Sequence, residues 1–328
     1  MPLHLDEFQK PQFQGYIENL PPQREYVLRN VLPIEQTNDI QFAYNVINGE
    51  YAQTASITGW NASAPLRDNK QFQRAFSEVA KVQHGILLDE KTLLQYNRPR
   101  TEDEKNRAIE SVYTHADDLS MGVDDIEEYL RAQAVYTGKV VYNDNENDIH
   151  IDIDFGVPEE NNLSATTGWN NKGSEPLTDL QSAIAQFKSK NQRKNPVAIH
   201  MTSATFANLL VNEQIKLQIF GDNANTRLIT KDDVNTVFNA LGFPPIVIND
   251  DVVLTDDGEQ VLLADNRVVL IGDDLGNTMV GPTVENNYVP GKFVEPQIFQ
   301  NPPSQGIIVG EAVFPALRRP SSIVFLDV

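Results

Sequence analysis

Metal chemistry needs imidazoles and carboxylates in register, and the five histidines, at positions 4, 84, 115, 150 and 200, offer no pair three or four residues apart. Such a pair is what stacks two imidazoles on one helix face, and no His-Glu-x-x-His arrangement exists either. The most metal-like group is His150, Asp152 and Asp154, whose period of two puts all three on one side of a strand. The same spacing describes a solvated strand face opposite Ile149, Ile151, Ile153 and Phe155, and that is the reading we adopt. The stretch NDNENDIHIDID, residues 143–154, repeats oxygen-bearing side chains at alternate positions as a calcium loop does. It has Asp148 at the sixth position, where such a loop turns on glycine, so a polar hairpin turn is expected instead.

Nucleophilic chemistry fares no better. Ser203 opens a predicted helix just after a strand that contains His200, but the glycines of a nucleophile elbow are missing, and Ser203 reads as a helix cap. There is no cysteine, which excludes thiolate catalysis, disulfides and Cys-ligated metals. No Gly-rich loop ends in Lys and Ser or Thr, and Gly272, Gly276 and Gly281 do not follow the dinucleotide pattern. Carboxylate pairs such as Asp152 with Asp154 carry little information in a chain with 46 acidic residues. The residues therefore nominate no catalytic, cofactor-binding or metal site.

The 26 Lys and Arg against 46 Asp and Glu leave a net charge of −20, which argues against a chain that wraps nucleic acid directly. The one local positive field, KSKNQRK at 188–194, lacks interleaved aromatics and reads as a charged helix exit. Trp60 and Trp169 both sit in polar, glycine-containing TGWN contexts, a placement that favours cover by another subunit. No apolar run reaches the roughly 18 residues that a membrane span requires, and the first residues do not resemble a secretory signal.

The elements that would position these residues form an α+β chain of 328 residues, enough for a large core or two of ordinary size. Residues 1–49 are punctuated by Pro2, Pro11, Pro21, Pro22 and Pro33 and predict an arm that must lie on its own body or on a neighbour. Phe72, Phe76 and Val79 predict a short helix, followed by a strand through Val82, His84, Ile86 and Leu88. Thr101 with Glu104 forms a capping box ahead of a long amphipathic pattern. That pattern predicts two consecutive helices or one bent helix, with Gly122 the weak point and Gly138 the stop.

A hairpin follows at 139–155, then a polar linker at 156–176. Thr178 with Gln181 reads as a second capping box, opening a module in which helices alternate with strands at 197–201, 245–248, 252–254, 261–263 and 268–271. The apolar run at 323–326 predicts an anchored last strand, one that could return to the 139–155 hairpin. A proline-punctuated arm, a long excursion at 51–88 and no convergent catalytic set favour an assembly subunit. A soluble enzyme or carbohydrate-binding module on the 175–281 unit is the alternative, and an adhesion module ranks third.

Several stretches, in order, resemble the major capsid proteins of tailed bacteriophages, in particular the lambda-like major capsid protein E group. They are EYLRAQAVYTGKVVY at 128–142, IHIDIDFG at 149–156 with PEENN at 158–162, TTGWN at 166–170 leading to PLTDL at 176–180, and LADNRVVLIGDDLG at 263–276. The resemblance implies an HK97-like fold with an N-terminal arm at 1–46 and an E-loop at 47–88. It also implies a peripheral domain with a spine helix at 89–174 and 282–328, and an axial domain at 175–281.

It implies a structural protein, not an enzyme, that assembles with itself as pentamers and hexamers into an icosahedral head around double-stranded DNA. Portal and scaffolding partners follow from the resemblance, and a decoration protein is compatible with it. DNA would be met only by non-specific proximity, with no membrane and no cofactor. The resemblance places the chain in the virion, after production and assembly in the bacterial host cytoplasm. Some proteins of this fold cross-link a lysine to an asparagine; Lys70 lies in a polar turn here, and nothing in the sequence marks a partner for it.

Overall fold

A computed structural model describes residues 9–46, 73–88, 93–94, 101–144, 149–221, 228–255, 258–300 and 303–328. Backbone contacts divide the chain into two compact units. The first gathers the described residues of Met1–Ala43, Phe76–Arg131 and Asn277–Ala316; the second gathers those of Tyr44–Ala75, Ala132–Gly276 and Leu317–Val328.

In the first unit the described residues before position 44 are folded. Helix α1, Lys10–Glu18, takes Pro11 in its first turn, where a missing amide costs nothing, and buries Phe13 and Ile17 one turn apart. After it come the short strands β1, Ile34–Gln36, and β2, Gln41–Val46, which pairs with β3, Gln73–Glu78. Strand β4, Ala80–Leu88, precedes helix α2, Glu102–Thr137, whose start is capped by Thr101 Oγ1 accepting from the Glu104 amide. Val112, Ala116, Leu119 and Val123, spaced four, three and four apart, form the stripe of α2 that meets Phe13, Ile17 and the sheet residues Val294, Ile307 and Val309.

The second unit begins in the last turns of α2, which Gly138 terminates in the left-handed region at φ +74°. The hairpin of β5, Lys139–Asp144, and β6, Ile149–Asp154, follows, then β7, Asn162–Ser164, and α3, Pro176–Lys190. Strand β8, Ala198–Met201, leads into α4, Ser203–Val211, α5, Glu213–Phe220, and α6, Lys231–Leu241. Strands β9, Ile246–Ile248, β10, Val252–Thr255, β11, Gly258–Val261, and β12, Arg267–Ile271, complete this run. The chain then passes through β13, Gly276–Gly281, β14, Phe293–Gln300, and β15, Pro303–Leu317, to β16, Ile323–Asp327.

The sheet of the first unit runs β1-β13-β15-β14, with β4 also pairing β15. Pro296, which cannot donate to a ladder, stands on β14 at the sheet's edge. The sheet of the second unit runs β7-β16-β12-β8-β9. Its core joins Leu180, Ile184 and Phe187 of α3 to Ile199, Leu270 and Val324 of the sheet.

Several expectations are corrected. The 72–83 segment is not helical: β3 and β4 occupy its described part, because β4 gains nine residues of antiparallel pairing with β15, from Leu88 opposite Gln305 to Ala80 opposite Val313. A helical spacing of three apolar residues is too short a signal to outweigh that ladder. Helix α2 passes unbroken through Gly122, and the missing side chain is used: a Cβ there would stand 2.4 Å from His84 Cε1. The last strand does not return to the 139–155 hairpin but pairs antiparallel with β12 and parallel with β7.

The Thr178 capping box is absent. Helix α3 already starts at Pro176, and Thr178 Oγ1 accepts instead from Gln214. The cap of α4 is Thr202, one residue before the expected Ser203. A capping box that the Glu-or-Gln rule passes over joins Thr230 and Asp233 at the start of α6.

Candidate assembly surfaces

The residues nominated for chemistry are dispersed and engaged. Asp154 pairs with Lys139 at 2.9 Å across the hairpin, and His150 faces Asn143 at 3.2 Å. The Lys139 pair, then the Gly156 amide, hold the Asp154 carboxyl below its ordinary value. Among the described residues no group of three or more His, Cys, Asp or Glu could hold a metal ion.

His200 is buried in the second unit, with Nδ1 2.9 Å from the Tyr136 hydroxyl, which accepts in turn from Asn249 Nδ2 at 2.9 Å. Tyr136 therefore donates to His200, and burial pushes the imidazole down to about 4. Ser203 is exposed, its amide on Asp250 Oδ1 at 2.7 Å, so the two do not form a nucleophile and base. Trp169 corrects the expectation of cover by another subunit. It is 2% exposed within its own unit's core, and its indole donates to Asp179 Oδ2 at 3.0 Å. Trp60 and Lys70 lie outside the described residues. At the 188–194 exit Lys190 is paired with Glu160, and Gln192 and Arg193 take left-handed backbone.

Among the described residues the structure leaves apolar surface open, and three places on ordered elements stand out. The first is the β10–β11 hairpin, where Val252 and Leu254 share one face and Val261 lies directly opposite Val252. Leu254 is 79% and Val261 59% exposed, while Val253, on the other face, is buried. Gly258, at φ +107°, pairs with Thr255, whose Oγ1 donates to the Gly258 carbonyl at 3.1 Å.

The second is the loop 282–290 of the first unit, which presents Val284, Tyr288 and Val289, with Tyr288 74% exposed. The loop is rigid by its own bonds: Pro282 bridges Pro290, the Tyr288 amide reaches the Thr283 carbonyl at 2.8 Å, and Asn286 Nδ2 reaches the Val289 carbonyl at 3.1 Å. Asn287 and Tyr288 both take left-handed backbone, at φ 54° and 64°. That conformation costs about 1–2 kcal/mol for a bulky residue, so an exposed tyrosine is being held in place against strain.

The third surface is one end of the first unit's sheet, where exposed Leu87 and Phe299 share a face, Leu87 opposite Gly306 and Phe299 opposite Ser304. Exposed apolar groups gathered on ordered elements mark contact surfaces. Sequence reading missed all three. The signal available was Val252-Val253-Leu254, an apolar run that fills both faces of a two-stranded ribbon and so must leave one face uncovered.

The sequence matches the phage major capsid protein E family over residues 12–328. The chain belongs to that family. No curated protein sequence matches it, but solved structures agree with its backbone over nearly its whole length. A phage-related protein from Bordetella bronchiseptica RB50 superposes with a TM-score of 0.58 at 12% identity, covering 97% of this chain and 96% of that one. A putative prophage capsid protein from Escherichia coli CFT073 gives 0.57 at 13% identity, with 78% and 79% covered. A virus-like particle protein from Pyrococcus furiosus gives 0.52 at 11% identity, with 97% and 98% covered.

Family and backbone together give the capsid protein the HK97-like fold and a structural role in the phage capsid, the shell of the virion, and not an enzymatic one. Among the described residues no helix is long and apolar enough to cross a membrane.

Proposed function

We propose that this capsid protein assembles with itself as pentamers and hexamers, closing an icosahedral head around phage double-stranded DNA in the bacterial host cytoplasm. The observation that carries the reading is the presence of three non-overlapping apolar surfaces on ordered parts of one chain. A ring needs two complementary patches on each copy, and joining rings into a closed shell needs more. The net charge of −20 supports a container wall that does not hold its DNA, which it meets only by proximity.

In this reading 1–46 is the arm, 47–88 the E-loop, 89–174 with 282–328 the peripheral domain, and 175–281 the axial domain. Portal and scaffolding proteins are its partners, a decoration protein is compatible with it, and the role calls on no catalytic, cofactor or metal site.

Electron microscopy of the purified full chain, with and without co-expressed scaffold, tests this. Shells or rings of five and six are expected, and Leu254→Asp is expected to abolish them while leaving the circular dichroism of the chain unchanged. A wild-type chain that stays monomeric in both preparations overturns the reading.

A further inference from the structure

The inside of the first unit holds a cluster of charge that the assembly role does not use. On α2, Asp124, Glu127, Glu128 and Arg131 are all buried, and Glu311 of β15 is buried against them. Arg131 reaches Glu127 Oε2 at 2.7 Å and Glu128 Oε2 at 3.2 Å, and its Nε donates to Thr278 Oγ1 at 2.7 Å. Lys292, just before β14, reaches Asp124 at 2.9 Å. Arg29, on the arm, lies 3.4 Å from Asp124 and 3.7 Å from Glu127. From β4, His84 faces α2 with Nε2 2.6 Å from the Leu119 carbonyl. Asp125, next along α2, is taken by Arg24 and the Tyr26 hydroxyl.

Four buried carboxyls thus meet three cations, and the carboxyl left over is Glu311. One oxygen of each of Glu127 and Glu311, Oε1 and Oε2 respectively, is buried with no hydrogen-bond partner, and the two side chains act on each other's charge. Two carboxylates cannot both ionise in such contact, and an unpaired buried oxygen is costly, whereas one proton between them satisfies both.

We propose that Glu311 keeps its proton at neutral pH and donates it to Glu127, so that β15 is latched to α2 by a proton whose loss in alkali loosens the unit. Burial, then the facing Glu127, push the Glu311 carboxyl well above its usual range. Burial raises Glu127 too, but the bond from Glu311 and the charge of Arg131 outweigh it and hold Glu127 low.

The sign follows from linkage. A group with a raised folded pKa stabilises fully below its unfolded value, and that contribution drains away as the pH climbs to the folded value. The full chain labelled with 13C-glutamate should show, at neutral pH, the infrared carbonyl band of a protonated glutamic acid, and Glu311→Gln should remove it. A wild-type chain without that band overturns the proposal whether or not the variant folds. In urea unfolding followed by circular dichroism from about pH 5 upward, the wild-type unfolding constant relative to Glu311→Gln should rise with pH, by up to about tenfold per pH unit. Equal pH slopes for the two proteins also overturn it.

Discussion

Acid should loosen the second unit through one histidine. His200 lies in β8, paired with Val269 on one side and Val247 on the other, with its Nδ1 accepting from Tyr136. Protonation would place a charge among apolar neighbours and turn that acceptor into a donor facing a hydroxyl whose proton already points at it. Burial lowers the folded value from 6.5 to about 4, so between those limits the unfolded chain binds more protons than the folded one. Stability is therefore complete above about pH 6.5 and drains away as the pH falls. Linkage gives a loss of about 2 kcal/mol at about pH 5, approaching about 3 kcal/mol near pH 4.

Trp169 lies in the same unit's core and supplies the assay: urea unfolding followed by its fluorescence in a Trp60→Phe background. His200→Asn, which keeps an acceptor and cannot titrate, should lose this acid slope. An identical slope in the variant, or a His200 resonance that titrates near 6.5, would refute the reasoning.

Gly310→Ala should cost about 3 kcal/mol, the upper end of the overpacking range, because its Cβ would meet the Val82 carbonyl at 2.6 Å and Gln83 Cβ and Phe293 Cζ at 2.7 Å. Denaturant unfolding measures it, and a loss below about 1 kcal/mol would mean that the strands can part. Arg131→Met should cost about 3–5 kcal/mol, since it strands Glu127 and Glu128 inside the first unit. Thermal unfolding at neutral pH checks this, and an unchanged midpoint would show that the two carboxylates had found protons or water.

The elements with long periods were legible. The α2 stripe, the Gly138 stop, the 139–155 hairpin and the strands around 268–271 and 323–326 stand where their spacing puts them. The family signature was legible for a related reason, because it lies in the order of stretches along the chain and needs no coordinates. Short signals failed. The helix expected near 72–83 gave way to pairing with β15, some 220 residues later, and Thr178 read as a cap although the helix had already begun at Pro176.

Composition, charge and the period of apolar residues pointed to a mixed α+β chain and favoured an assembly subunit over an enzyme. Those properties are local, and they sum along the chain. Burial is not local. Trp169, in a polar loop, is covered by its own core, while Leu254 and Val261, in an apolar run, face outward. Glu311 and Glu127, distant in sequence, meet only because β15 packs against α2. Which side chain is covered depends on what the rest of the chain brings to it, and only the tertiary structure decided that.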